Sequence, residues 1–196
     1  DLGNFPAPWF YPDDGGRFFG TSGYLVTQDP DTGWTNCGTY RSQVLGKDIL
    51  GSQIISGKHG DMHMKKYQER GEKMPVAYVV GGDPILFLAG STLVSAQTDE
   101  YDAGSTLRGR PIEVFKSELT GLTLPANAEI IVEGWMDPDE LMEEGAFGEY
   151  TGYYSGNKMK DYPKPVIRVE RIIHRTDPVF WSTTVGKPIN DTHMVQ

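Results

Sequence analysis

Two carboxylates five positions apart, Glu144 and Glu149, flank Gly145, Ala146, Phe147 and Gly148. On a helix, positions i and i+5 fall on different faces, and along a strand they alternate. A glycine-hinged loop can aim both at one point, because Gly tolerates backbone angles that other residues avoid. Carboxylates converging in this way raise each other's proton affinity, which suits a proton donor working near neutral pH. The alternative is an acidic surface loop with solvated charges. Arg41 offers further chemistry: a guanidinium projecting from a strand can clamp a carboxylate substrate through two parallel hydrogen bonds. Its alternative is a strand-edge arginine in water.

Asn36, His59 and Glu100 form a second group. An amide oxygen, a neutral imidazole and a carboxylate make a hard site suited to Mn²⁺ or Mg²⁺. Their wide spacing is no local metal motif. The plainer reading makes His59 a loop residue after Gly57 and Glu100 a first-turn helix carboxylate favoured by the dipole. Ala89, Gly90, Ser91 and Thr92 are read as a small-residue loop whose amides can approach an anion such as phosphate. His63 follows His59 by one turn, but Gly60 between them is expected to break a shared face and leave His63 on the surface. His174 and His193 receive no role. Cys37 has no neighbouring base in sequence and is not read as a nucleophile.

These groups need a scaffold, and 196 residues allow one large domain or two small ones. A hydrophobic content of 38% excludes a disordered chain, while 24 glycines and 13 prolines imply many turns and short strands. The net charge of −9 argues against nucleic acid as a partner, which needs a basic surface. The single cysteine excludes an internal disulfide and fits a reducing, cytoplasmic setting. No apolar run approaches the roughly 20 residues of a membrane-spanning helix, so no membrane partner is expected. The chain opens on Asp1 with no visible signal peptide, and it reads as a piece of a longer protein.

Residues 1–20, rich in Pro, Gly and rings, read as an irregular arm, and 21–196 as one domain. Strands are expected at 23–26, 34–45, 49–56 and 74–80, then at 111–115, 128–135, 166–173 and 179–183. A helix capped by Asp61 should close at Gly71. Asp83 and Pro84 open a short helix, and Thr98 caps another that ends at Gly109. The pattern is mainly β with inserted helices, an α+β chain built on a β-barrel.

In order along the chain, these segments resemble the UbiD-type decarboxylases that use prenylated FMN, in their ferulate-decarboxylase-like branch. The resemblance rests on residues 36–41, Lys58 with His59, residues 98–100, the stretch 124–134, the loop 144–154 and the tail Asp191-Thr-His193. Ala146 stands where the family usually has Pro, and the position of Lys58 varies among relatives. The resemblance implies a split β-barrel flavin-binding domain, with the family's N- and C-terminal domains absent from this chain. It implies Asn36, His59 and Glu100 holding Mn²⁺ at the flavin phosphate, with K⁺ beside it at main-chain groups of Cys37 and the 89–92 segment. Thr39, Tyr40, Arg41, Ile55, Lys58, Gly90 and Ser91 would line the cofactor pocket. Arg41, Glu144 and Glu149 would form the catalytic network, with Glu149 as proton donor. The implied reaction is reversible, non-oxidative decarboxylation of an aromatic or α,β-unsaturated carboxylic acid. The implied partners are that small-molecule acid, further copies of the chain in a dimer or hexamer, and a flavin prenyltransferase as cofactor supplier. A non-catalytic FMN-binding subunit and a metal-dependent hydrolase remain alternatives.

Overall fold

The computed structural model describes residues 1–155, 163–186, 188–190 and 194. Its strands, in chain order, are β1 (Phe18–Gly20), β2 (Tyr24–Gln28), β3 (Thr35–Gly38), β4 (Ser42–Val44), β5 (Ile49–Ser52), β6 (Met74–Val80), β7 (Val114–Lys116), β8 (Thr123–Pro125), β9 (Ile130–Met142), β10 (Phe147–Gly148), β11 (Tyr154–Ser155) and β12 (Lys164–His174). Its helices are α1 (His59–Arg70), α2 (Pro84–Ser91) and α3 (Glu100–Arg108). Eight strands make one curled antiparallel sheet in the order β1-β4-β5-β12-β9-β6-β2-β3, so β1 and β3 are its edges. β7–β8 and β10–β11 are separate two-stranded hairpins. This is the expected mainly-β split barrel with inserted helices.

Both faces of the sheet are covered, and β6 shows how. Its side chains alternate in direction. Met74, Val76, Tyr78 and Val80 join one core with Val132, Met136 and Ile167, against which α1 lays Tyr67 and Met64. Ala77 and Val79 join a second core with Tyr24, Val26 and Ile131, closed by Leu86 of α2 and Tyr101 of α3. Each fully buried Leu or Ile in these cores contributes about 1.5–3 kcal/mol. The helix ends follow local chemistry. Gly71 and Gly109 close α1 and α3 in the left-handed region, at φ 66° and 72°, where a Cβ would be strained. Asp83 caps α2 by accepting from the Ile85 amide, with Pro84 at the first helical position.

Several expectations need correction. The strand expected over 34–45 is broken at 39–41 into β3 and β4. The Tyr40 carbonyl freed by that break accepts from the Tyr78 hydroxyl at 2.8 Å. α1 begins at His59, not after Asp61; the Asp61 carboxylate reaches back to accept from the Gly57 amide at 2.8 Å. Asp99, not Thr98, caps α3 through the Tyr101 amide. Residues 179–183 form no strand, because no neighbouring sheet edge pairs with them. Residues 89–91 are the last turn of α2 rather than a loop, with Thr92 its cap. The tail residues Asp191 and His193 lie outside the described residues. Among the described residues no helix is long and apolar enough to cross a membrane.

Candidate active site

The edge strand β3 meets the first residues of α1 and α3, and this junction gathers Asn36, His59 and Glu100. The Glu100 carboxylate is buried, accepts from the Cys37 amide at 2.9 Å, and lies 3.9 Å from His59 Nδ1. Burial pushes the Glu100 carboxyl up to about 7, only partly countered by the Cys37 amide. Burial, with Lys58 nearby, lowers the His59 imidazole. The Asn36 amide is buried and donates through Nδ2 to Thr27 Oγ1 at 3.1 Å. All three residues face a cavity of about 440 Å³ that Thr39, Tyr40, Ile55, Lys58, Gly90 and Ser91 also line.

This donor set fits a hard divalent cation. Glu100 is a buried carboxylate held near neutrality for want of a positive partner, and a cation there would return it to the ionised form. Among the described residues no cluster of three His, Cys, Asp or Glu side chains forms a ready metal cage, so the amide oxygen of Asn36 is needed to complete the set. The 89–92 segment serves differently from expectation. A Cβ on Gly90 would lie 2.4 Å from the Cys37 carbonyl oxygen, so Gly90 lets α2 pack on β3. Ser91 donates to its own helix at Phe87 O, and the Ala89 carbonyl accepts from the Thr92 amide. Amides spent on helix bonds are not free to cradle an anion.

Arg41 lies in the break between β3 and β4. Its Nε and Nη2 donate to the two oxygens of Glu144 at 2.9 and 2.7 Å. Nη1 donates to Glu149 Oε1, and Nη2 also reaches Gln53 Oε1 at 3.3 Å. Four of the five guanidinium N–H groups are therefore spent, leaving one on Nη1. The clamp expected for a substrate is already filled by Glu144. Burial works against the charged guanidinium, but Glu144 and Glu149 outweigh it and raise Arg41 above its ordinary value. The Phe147 ring lies 4.6 Å beneath it. A second cavity of about 200 Å³ is lined by Arg41, Gln53, Phe87, Phe147, Glu149 and Tyr150. Thr39, Tyr40 and Ile55 line both cavities, so the two adjoin across one wall.

The acidic segment is shaped by the arm. Gly15 donates its amide to the Ala146 carbonyl at 2.6 Å, and Asp14 accepts from the Gly148 amide at 3.0 Å. Neither Gly145 nor Gly148 has a positive φ. The glycines are required by close approach, to Gly15 and to the Tyr11 ring, and not by backbone freedom.

Several residues at the site escaped the sequence reading. Ser155 donates to Glu149 Oε1 at 2.9 Å, and Gln53 and Asp14 join as described. Lys164 lies near enough that burial and Arg41 lower its pKa against the pull of Glu144. No local pattern marks them, because each acts across at least one strand pairing or turn. His63 is buried rather than on the surface. Gly60 is helical, so His59 and His63 share a face, and both pack on Trp34. The i, i+4 spacing was the available signal. A larger groove of about 830 Å³, between the arm and β12, contains none of the candidate residues.

The UbiD family model, for the 3-octaprenyl-4-hydroxybenzoate carboxy-lyase Rift-related domain, matches residues 1–188. The chain belongs to the UbiD family. It is 36% identical over 189 residues to a phenolic acid decarboxylase of Streptomyces sp. strain D7, covering 94% of this chain and 39% of that protein. Among solved structures it resembles the UbiD-class enzyme HmfF of Pelotomaculum thermopropionicum, determined in complex with FMN. That match has a TM-score of 0.86 and 32% identity, over 92% of this chain and 39% of HmfF. Vanillic acid decarboxylase of Sedimentibacter hydroxybenzoicus, in its closed form, matches with a TM-score of 0.87 and 32% identity, over 94% of this chain and 39% of that one. This UbiD domain thus spans about two fifths of the relatives it matches.

Proposed function

We propose that this domain is the flavin-binding centre of a decarboxylase acting reversibly and non-oxidatively on an aromatic or α,β-unsaturated carboxylic acid with prenylated FMN. The observation that supports this most is the pair of adjoining cavities. One ends in a cation-binding donor set beside two helix N-termini, and the other in the Arg41 network. The N-terminal turns of α1 and α3 favour an anion such as a phosphate. Asn36, His59 and Glu100 would hold Mn²⁺ there and neutralise that phosphate, with Lys58 at the rim. A K⁺ ion beside Cys37 belongs to the same reading. An evolved dimeric form of HmfF was solved with prenylated FMN, which favours the same cofactor and a homo-oligomer here. The cofactor is to be supplied by a flavin prenyltransferase.

Prenylated FMN, when bound, supplies the electron sink for loss of CO₂. The chain's own groups orient the acid and move the proton. Arg41 is locked to Glu144 on its Nε–Nη2 edge and lines the second cavity, with one Nη1 N–H unspent. An incoming carboxylate takes the remaining Nη1 N–H and competes with Glu149 for the other. Glu149, displaced from Arg41 but still held by Ser155, loses the charge that kept it ionised, takes up a proton from solvent, and then delivers it to the carbon that loses CO₂. Phe147, Phe87 and Ile55 keep water from that carbon. Positioned proton transfer of this kind contributes roughly 10²–10⁴-fold.

The test uses the full chain, expressed with a flavin prenyltransferase and offered a panel of aromatic and α,β-unsaturated acids. CO₂ release by the wild type, lost in Glu149→Gln with flavin retained, is the expected result. Unchanged turnover in Glu149→Gln would remove the proton-donor assignment. Flavin bound with no turnover of any acid would favour a non-catalytic FMN-binding subunit.

A further inference from the structure

Behind the cavity wall, a buried chain of hydrogen bonds ends on Asn36. Thr27 of β2 lies directly opposite Asn36 of β3 in the strand register. Its Oγ1 accepts from Asn36 Nδ2 at 3.1 Å and lies 3.0 Å from His63 Nδ1. Thr27 and His63 are both fully buried. Trp34 packs edge-on to both His63 and His59, at 4.8 and 4.7 Å between ring centres, and anchors its Nε1 on the Thr98 carbonyl at 3.0 Å. His63 Nε2 has no hydrogen-bond partner. A leucine would fill that space without burying an unpaired polar atom, so what the imidazole adds is its Nδ1.

We propose that Thr27 and His63 are positioning residues that fix which face of the Asn36 amide meets the cavity. The proposal rests on the reading of Asn36 as a cation ligand. A hydroxyl has one proton to give. With Oγ1 accepting from Asn36, a His63 Nδ1 that carries no proton gives the Thr27 hydroxyl its own acceptor and keeps an oxygen lone pair turned to the amide. In this arrangement the Asn36 carbonyl oxygen faces the cavity, where a cation can use it. In the reversed chain the proton sits on His63 Nδ1, and the Thr27 hydroxyl is then free to donate towards Asn36. The amide then turns its oxygen inwards and presents an NH₂ group, which cannot ligate a cation. The Thr27 oxygen that holds the amide nitrogen thus favours the cation ligand over the hydrogen-bond donor, and His63 Nδ1 supports it. Burial holds His63 neutral, with its pKa pushed down to about 4, so one ring nitrogen is without a proton.

The experiment titrates Mn²⁺ into the full chain in the presence of FMN, followed by electron paramagnetic resonance. Thr27→Val keeps the shape and deletes the relay. We expect it to weaken Mn²⁺ binding roughly 10- to 100-fold, the range for outer partners of metal ligands. Thr27→Ser should restore binding. His63→Leu should weaken it as Thr27→Val does; if that variant fails to fold, Thr27→Val decides the matter alone. The decisive arm repeats Thr27→Val in an Asn36→Asp background. A carboxylate has an oxygen on both faces, so orientation no longer matters and the loss should largely vanish. Thr27→Val binding like the wild type overturns the relay alone, as does an equal loss in the Asn36→Asp background. A wild type that binds no Mn²⁺ overturns both the relay and the ligand role of Asn36.

Discussion

Gly15 and Gly145 meet backbone to backbone: a Cβ on Gly145 would lie 2.3 Å from the Gly15 Cα, and one on Gly15 2.1 Å from the Gly145 Cα. Neither backbone can give way cheaply, since the Gly15 amide is bonded to the Ala146 carbonyl. Gly145→Ala should therefore push the acidic segment off the arm. Overpacking costs about 1–3 kcal/mol, which in a domain of this size lowers the melting temperature by roughly 2–4 °C per kcal/mol. Thermal denaturation checks the first part. Turnover should fall further than stability alone explains, because Glu144 and Glu149 move with the segment. A variant with wild-type melting and activity would show that the two strands of backbone can part freely.

Arg41 stands between two carboxylates, and the Glu144 side chain is only 4% exposed. Arg41→Leu strands that buried charge and should cost roughly 3–5 kcal/mol by urea denaturation. Arg41→Lys keeps the charge but loses the planar fork, so it cannot serve Glu144 bidentately and Glu149 together. We expect Arg41→Lys to retain most of the stability and lose most of the turnover. Equal activity in the lysine variant would show that charge alone suffices.

His63 gives a pH signature. Burial lowers its pKa from 6.5 to about 4, with His59 and Lys66 pushing the same way and Asp29 opposing. The folded pKa lies below the unfolded one, so the unfolded chain takes up the proton first as the solution is acidified. Stability from this residue is intact above pH 6.5 and is lost as pH falls towards 4, by roughly 3 kcal/mol in all. In His63→Leu the urea midpoint should fall less steeply across that window. Parallel slopes for the two proteins would mean that His63 titrates normally.

Metal removal should act through the flavin. Chelation of Mn²⁺ from the full chain with EDTA is expected to lower FMN affinity, measured by flavin fluorescence, and added Mn²⁺ to restore it. Glu100→Ala and Asn36→Ala should lower metal content by elemental analysis and make FMN binding insensitive to EDTA. FMN affinity that ignores EDTA in the wild type would separate the cation from the phosphate site.

Much of the scaffold was legible because local chemistry and burial agreed. The apolar run of β6, the capping carboxylate before Pro84 and the glycines that close α1 and α3 each read correctly from neighbouring residues. Failures occurred where a distant contact overrode the local pattern. The strand expected over 34–45 breaks because the Tyr40 carbonyl is satisfied from Tyr78, another strand's residue. Gly60 lies in the first turn of α1, where Trp34 packs on both His59 and His63 and Thr27 holds His63.

Residue type alone determined which groups could do chemistry here: an amide, an imidazole and a carboxylate suited to a hard cation, and one arginine beside two glutamates. Tertiary structure alone decided how those groups are spent. A guanidinium has five N–H groups wherever it is placed, but only the fold could commit four of them and leave one on Nη1 unspent. Likewise an asparagine is a ligand or a donor according to the face it turns. Here a threonine across the ladder holds the amide nitrogen, and a histidine on a helix lies against that threonine, contacts that no linear spacing encodes.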